Sequence, residues 1–326
     1  MANETYLEEL AEQLAKTEIP EFHGASGYFS KPQPNLDPAI FEGETVKFEV
    51  SEHIIRTLLN FWHKRGYHHA SAWTTIWLAG SGVSYQWAGD RGNGDLDVLM
   101  GIDWPLFYTC NPQWGQTGIE QVTKHIDDEL RTHLWPRTAH TDFGGKEFEV
   151  TYFVNLDATD IRDILPYAAY ELTSTRWTVR PSHDTAYDHP EEPQWLPYAR
   201  VDLEAAMTAR TSIRAILSDL PHLDGSYRVT ALNRLASAVQ YAVGMMTDIH
   251  GNRRKAFTKP LGKGYWDFNN WRWQKAKQTG VVKVLGAIEH AHTKAIEAAE
   301  EATYSAQLAS ADELVIRAAM AYRDVS

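Results

Sequence analysis

Several features that would betray a class at once are scarce or missing. One cysteine, Cys110, stands in 326 residues. It can form no internal disulfide and build no thiolate zinc cage, and its isolation fits a reducing, cytoplasmic compartment. Basic charge is short: 31 Lys and Arg face 43 Asp and Glu, a net charge of −12. Such a surface repels a phosphate backbone, which excludes general coating of DNA. No apolar run approaches the ~20 residues of a membrane span. Met1 to Lys16 is acidic and broken by polar residues, unlike a signal or transit peptide. Internal repeats, low-complexity tracts, a P-loop, a dinucleotide fingerprint and a serine-histidine triad supported by spacing are also missing.

What is present is ordinary globular material. Apolar residues make up 43% of the chain, and at roughly 150 residues per domain the length predicts about two domains. Leu7, Leu10, Ala11 and Leu14 predict a short amphipathic helix, and the proline-rich stretch from Ile19 to Glu42 predicts an irregular surface arm. Ser51 is placed to cap a helix that runs to Lys64 and stops at Gly66. Strands are expected over Ala72–Ala79, Asp95–Ile102 and Lys146–Leu156, with a helix over Gly118–Leu134 between the last two. In the third strand Phe148, Val150, Tyr152 and Val154 alternate with Glu147, Glu149, Thr151 and Phe153. The segment Pro181 to Pro197 reads as a linker. Beyond it Leu203–Leu217, Tyr227–Ile249, Val281–Ala299 and Ala311–Tyr322 carry helical periodicity. The expected architecture is α+β: a helix and arm over residues 1–50, a mixed-sheet catalytic domain over 51–200 and a mainly helical domain over 201–326.

The chemistry concentrates between Leu78 and Asp103. Gly80-Ser81 is followed, after thirteen residues, by Asp95-Leu96-Asp97-Val98. Aspartates two apart on a strand share a face, and crowded carboxylates resist joint ionisation unless a cation intervenes. Oxygen ligands suit Mg²⁺ or Mn²⁺ better than Zn²⁺. A strand that ends in small residues and opens a turn offers backbone N–H groups, and the Ser81 hydroxyl adds a further donor for phosphate oxygens. Together these predict a triphosphate site. Arg91, in the loop Gly89–Gly94, is a candidate to reach the same triphosphate, or else a solvated turn residue.

This arrangement resembles the nucleotidyltransferase superfamily that includes DNA polymerase beta. The resemblance rests on the glycine-serine turn, the spacing, and the Asp-x-Asp flanked by Leu96 and Val98. Trp77-Leu-Ala-Gly-Ser-Gly, Arg91-Gly-Asn-Gly-Asp-Leu-Asp-Val and Pro166-Tyr-Ala-Ala-Tyr also resemble nucleotidyltransferase-like proteins of phages that infect actinobacteria. The resemblance implies a mixed sheet backed by helices, nucleoside triphosphate as substrate, and two metal ions bridged by Asp95 and Asp97. It also implies a third carboxylate on a neighbouring strand, for which Glu149 fits best, with Glu147 and then Asp157 as rivals. The family more commonly has Asp there. The implied reaction moves a nucleoside monophosphate to an acceptor hydroxyl, on an RNA 3′ end or a small molecule, and releases pyrophosphate. An oligonucleotide second-messenger synthase and a non-catalytic nucleotide- or RNA-binding protein are the alternatives.

One segment contrasts with the acidic background. Residues 251–280 hold eight basic groups and one acidic, a local +7 that leaves −19 on the rest of the chain. Phe257, Tyr265, Trp266, Phe268, Trp271 and Trp273 are interleaved with them. Cations bind phosphates and aromatic faces stack on bases. Arg253, Arg254, Lys255 and Lys263 are therefore candidates to hold a triphosphate or a phosphorylated acceptor. The competing expectation is that the rings pack between helices while the cations stay solvated or pair with acidic neighbours.

Overall fold

The computed structural model describes residues 2–16, 27–87, 93–156, 159–183 and 189–304. The predicted helix Ala311–Tyr322 and the first part of the arm lie outside them. The chain begins with α1 (Ala2–Lys16) and divides into two units. One holds α1, residues 189–256 and residues 266–304; the other holds residues 27–183 and the short excursion 257–265.

The second unit is built on a sheet. A small hairpin, β1 (Phe41–Glu42) and β2 (Thr45–Val46), precedes α2 (Phe48–Lys64) and α3 (Ala70–Trp73). Then follow β3 (Thr74–Ala79), β4 (Asn93–Ile102), α4 (Trp104–Cys110), α5 (Ile119–Glu129), α6 (Trp135–Thr138), β5 (Thr141–Phe143), β6 (Lys146–Val154), β7 (Ala169–Glu171) and β8 (Arg176–Val179). The six-stranded sheet has the order β5-β6-β4-β3-β7-β8. Only β4 and β6 run parallel, and every other neighbouring pair is antiparallel. It is thus a mixed sheet, as expected.

Period-two alternation decides what each face of the sheet does. Ile76, Leu78, Leu96, Val98, Met100, Phe148, Val150 and Tyr152 share one large core with Ile54, Leu58 and Trp62 of α2 and Val122 and Ile126 of α5. The opposite face carries a smaller apolar cluster of Trp77, Ala79, Leu99 and Ala169, closed by Ile161. Two strands therefore present apolar residues to helices on one side while their alternate positions remain available for chemistry on the other.

Several local expectations need correction. Ser51 does not cap α2: the helix starts at Phe48, and the Ser51 hydroxyl donates to the Leu172 carbonyl at 3.4 Å. Ala72 and Trp73 belong to α3, so the strand begins at Thr74. The helix expected over Gly118–Leu134 stays α only to Glu129 and widens to a π-turn over Leu130–Leu134. Pro136 explains the change, because it has no N–H to give to the carbonyl four residues back. The linker ends earlier than Pro197, since a helix starts at Glu192. Pro193 sits in its first turn, where a missing N–H costs nothing. The described part of the arm does lie along the main body: Gln33 N–H bonds the Tyr85 carbonyl at 2.7 Å, and Trp87 Nε1 bonds the Asn35 carbonyl at 2.7 Å.

The helical unit contains α1, α7 (Glu192–Asp219), α8 (Gly225–Ala256), α9 (Phe268–Thr279) and α10 (Val281–Tyr304). Its core joins Leu10 of α1 to Ile213, Leu235, Val239, Val284, Leu285 and Ile288. The helix at the start of the chain is therefore part of the helical unit rather than of a separate arm.

Candidate functional site

β3 ends at Ala79, and Gly80 turns the chain with φ +84° and ψ −158°. That backbone region is essentially confined to glycine. A Cβ built on Gly80 would lie 2.8 Å from Asp97 Oδ2, so the missing side chain is what lets the Asp97 carboxylate sit against the turn. A Cβ on Gly82 would lie 2.3 Å from the Asp95 carbonyl oxygen. The Gly80 N–H is taken by the Ala168 carbonyl at 3.2 Å. Ser81–Val83 form one 3-10 turn, and the Ser84 hydroxyl closes it by donating to the Ser81 carbonyl at 2.9 Å.

Strand register places the acidic residues. Ala79 pairs with Asp97 across β3 and β4, and Asp95 pairs with Glu149 across β4 and β6. Asp95, Asp97 and Glu149 therefore share the face opposite the large core. The register also separates the two glutamates: Glu147 pairs with Asn93, one step farther from Asp97. Its carboxylate lies 3.2 Å from His140 Nδ1. Glu149 Oε1 instead accepts a hydrogen bond from Trp135 Nε1 at 2.9 Å. Arg91 and Asp157 lie outside the described residues.

Among the described residues no group of three or more His, Cys, Asp and Glu side chains is gathered for a metal ion. Asp95, Asp97 and Glu149 share a face but do not form a ready cage. Magnesium usually takes one or two carboxylates and completes its shell with water and substrate phosphate. The aspartate pair beside the cradle left by Gly80 fits a hard divalent cation held in that way. Glu149 would join it only by turning from Trp135.

The segment after β6 adds aromatic surface beside the turn. Ala79 pairs with Ala169, so the half-buried Tyr167 lies two residues before the start of β7, next to Ala168, the acceptor for Gly80. Its ring packs against Tyr265 at 4.3 Å and Phe257 at 5.6 Å between centroids. Tyr265 in turn stacks on Tyr28 at 4.8 Å. The excursion 257–265 is pinned to this place by backbone: Leu165 N–H bonds the Phe257 carbonyl at 2.9 Å, and Ile164 bridges to Thr258. The pattern of rings and cations marked the segment as unusual, but its attachment to the sheet unit is a tertiary fact that no local pattern carries.

The basic candidates thus fall in different units. Lys263 belongs to the excursion of the sheet unit, whereas Arg253, Arg254 and Lys255 end α8 in the helical unit. Cations in a last helical turn are stabilised by the helix dipole. Arg253 also lies over the Trp273 ring, 5.3 Å from its centroid. Arg272 is claimed by Asp202 at 2.7 Å and Asp248 at 2.8 Å, and Lys275 by Glu192 at 3.1 Å. Among the described residues no helix is long and apolar enough to cross a membrane. No family model, curated protein or solved structure matches the chain.

Proposed function

We propose that the sheet unit is a metal-dependent nucleotidyltransferase. It would move a nucleoside monophosphate from a triphosphate to an acceptor hydroxyl, with Mg²⁺ or Mn²⁺ as cofactor. One observation carries the reading: Gly80 leaves room for Asp97 against a small-residue turn, while Asp95 and Glu149 sit in register on the same open face. Asp95 and Asp97 would hold the cation. When bound, it would offset phosphate charge and favour ionisation of the acceptor hydroxyl. Ser81 would donate to phosphate oxygens, and Tyr167, flanking the turn, offers a planar surface to a base. The acceptor oxygen forms a bond to the α-phosphorus as the bond to the bridging oxygen breaks. Pyrophosphate departs with that electron pair, and the hydroxyl proton passes to Glu149 or to water. The protein's share of the work is positioning and charge stabilisation.

The test is pyrophosphate release from labelled triphosphates with Mg²⁺ or Mn²⁺ and total RNA. The expected result is turnover in the wild type and a loss of about 10²-fold or more in Asp95→Ala/Asp97→Ala. Release that persists unchanged in the double variant removes the assignment. Soluble oligonucleotides formed without added RNA would identify a second-messenger synthase. A second reading, a non-catalytic nucleotide-binding protein, is favoured by the bond that ties Glu149 to Trp135. It predicts nucleotide binding at equilibrium without pyrophosphate release.

A further inference from the structure

We infer that the sheet unit holds a second binding site, remote from the aspartates, for a small uncharged ligand rich in neighbouring hydroxyls, that is, a sugar. The inference does not rest on the proposed function.

A cavity of about 480 Å³ opens at the other end of β3, a size within the range of small-molecule sites. Thr75 and Trp77 line it and alternate with Ile76 and Leu78 of the large core, so they share the face of Asp95 and Asp97. Thr75 pairs with Gly101, and Asp97 with Ala79. Four residues, about 13 Å of strand, therefore separate the two levels. The cluster of Trp77, Ala79, Leu99, Ile161 and Ala169 fills the stretch between them.

Two features of the fold build the cavity. A Cβ on Gly101 would lie 1.8 Å from the Thr159 carbonyl oxygen and 2.9 Å from the Trp77 ring. The missing side chain lets the chain at Thr159 cross close to the sheet, and it brings Asp160 and Arg162 to the cavity. Across the strands, Trp77 pairs with Glu171 and Glu171 with Arg176, which sets a second ion pair along the same opening.

The lining is polar and preorganised. Arg162 grips Asp160 through Nε at 2.9 Å and through Nη2. Arg176 grips Glu171 through Nε at 3.2 Å and Nη2 at 3.1 Å. The Asp160 carboxyl is held below its usual range first by the bond from Arg162 and further by the charge of Arg176, so the two pairs act on each other. Nη1 of each guanidinium takes no part in these bonds and keeps its donors. Trp77 Nε1 donates to Thr178 Oγ1 at 3.0 Å, which leaves the threonine its own O–H to give. Asp103 adds a third carboxylate, whose Oδ1 caps α4 at the Leu106 N–H.

The charge count selects the ligand. Two guanidiniums face three carboxylates, so the lining has no positive excess to hold an anion, and the guanidiniums repel a cation. Each ion pair sets donors beside acceptors. Neighbouring hydroxyls give and take hydrogen bonds at once, whereas an anion only takes and an ammonium only gives.

The test is saturation-transfer NMR on the full chain with a mixture of free hexoses, pentoses and disaccharides, followed by titration of the tightest binder. Inorganic phosphate and glycine are run beside it. The Arg162 and Arg176 side chains are 68% and 70% exposed, so each can be replaced without opening the core. The expected result is sugar binding weakened about 10-fold by Arg176→Gln, Arg162→Gln and Glu171→Gln, the loss of one hydrogen bond to a charged group. Asp95→Ala/Asp97→Ala should bind the same sugar as the wild type does, which separates this cavity from the aspartate site. No binding by any sugar in the mixture, wild-type affinity in both arginine variants, or a loss confined to the aspartate variant would each overturn the inference. Binding of phosphate or glycine in place of sugar would overturn it too, by giving the cavity to an anion or a zwitterion.

Discussion

At the scale of single residues the site depends on what is missing from Gly80. Its φ of +84° with ψ −158° and the 2.8 Å approach of Asp97 to its would-be Cβ impose two separate penalties on any side chain. Gly80→Ala is expected to lose about 1–3 kcal/mol from the backbone alone. It must also push Asp97 from the turn, so under the proposed function nucleotide affinity should fall with stability. Urea unfolding and equilibrium nucleotide binding check the two effects separately, and a variant as stable as the wild type would show that the turn relaxes freely. The glycine-serine turn and the placing of two aspartates on one strand were legible in the sequence because each follows from residue type and spacing. The pairing of Glu149 with Asp95 was only half legible. Period two places Glu147 and Glu149 on one face, and the choice between them waits on the β4–β6 register, which alternation does not encode.

At the scale of elements, apolar periodicity located most helices and strands, but not their partners. The stripe of α1 was visible from Leu7, Leu10 and Leu14. Its packing against α10, nearly a whole chain away, was not. That pairing contains a titratable contact: the Tyr6 hydroxyl lies 2.9 Å from His292 Nδ1, with the rings edge to face. Burial raises the Tyr6 pKa and lowers that of His292, so at neutral pH the hydroxyl donates and the imidazole accepts. A histidine with a depressed folded pKa is protonated more readily in the unfolded chain. Its stabilisation is whole above the free value near 6.5 and is lost as pH falls through the lower folded value. His250 on α8 acts in the same direction, lowered first by burial and then by Arg253 and Arg254. Melting of the wild type at pH 7.0 and about 5.5 should show an acid-induced drop that shrinks in His292→Gln. Equal drops in the two proteins would remove His292 from the explanation.

At the scale of the whole molecule, the chain builds its two units out of order. The sheet unit is inserted between α1 and α7, and residues 257–265 leave the helical unit between α8 and α9 to join the sheet. The sequence division at residues 50 and 200 followed changes in composition, and composition does not record where a chain returns. Each unit nevertheless has its own core: Leu58 is fully buried beneath the sheet and Leu285 among the helices. Leu58→Ala and Leu285→Ala should each cost about 2–5 kcal/mol through lost burial and a residual cavity. With separate cores the cost should stay within the unit that carries the substitution, because multi-domain chains depart from all-or-none unfolding. Hydrogen exchange resolved by peptide tests this directly. Leu58→Ala should speed exchange in β3, β4 and β6 and leave α8 and α10 as in the wild type, and Leu285→Ala should do the reverse. The excursion 257–265 is the decisive peptide. It lies in sequence between two helices of one unit but is bonded through Leu165 and Ile164 to the other. Its protection should follow Leu58→Ala. If it followed Leu285→Ala instead, the loop would belong energetically to the helices, and Lys263 would go with it.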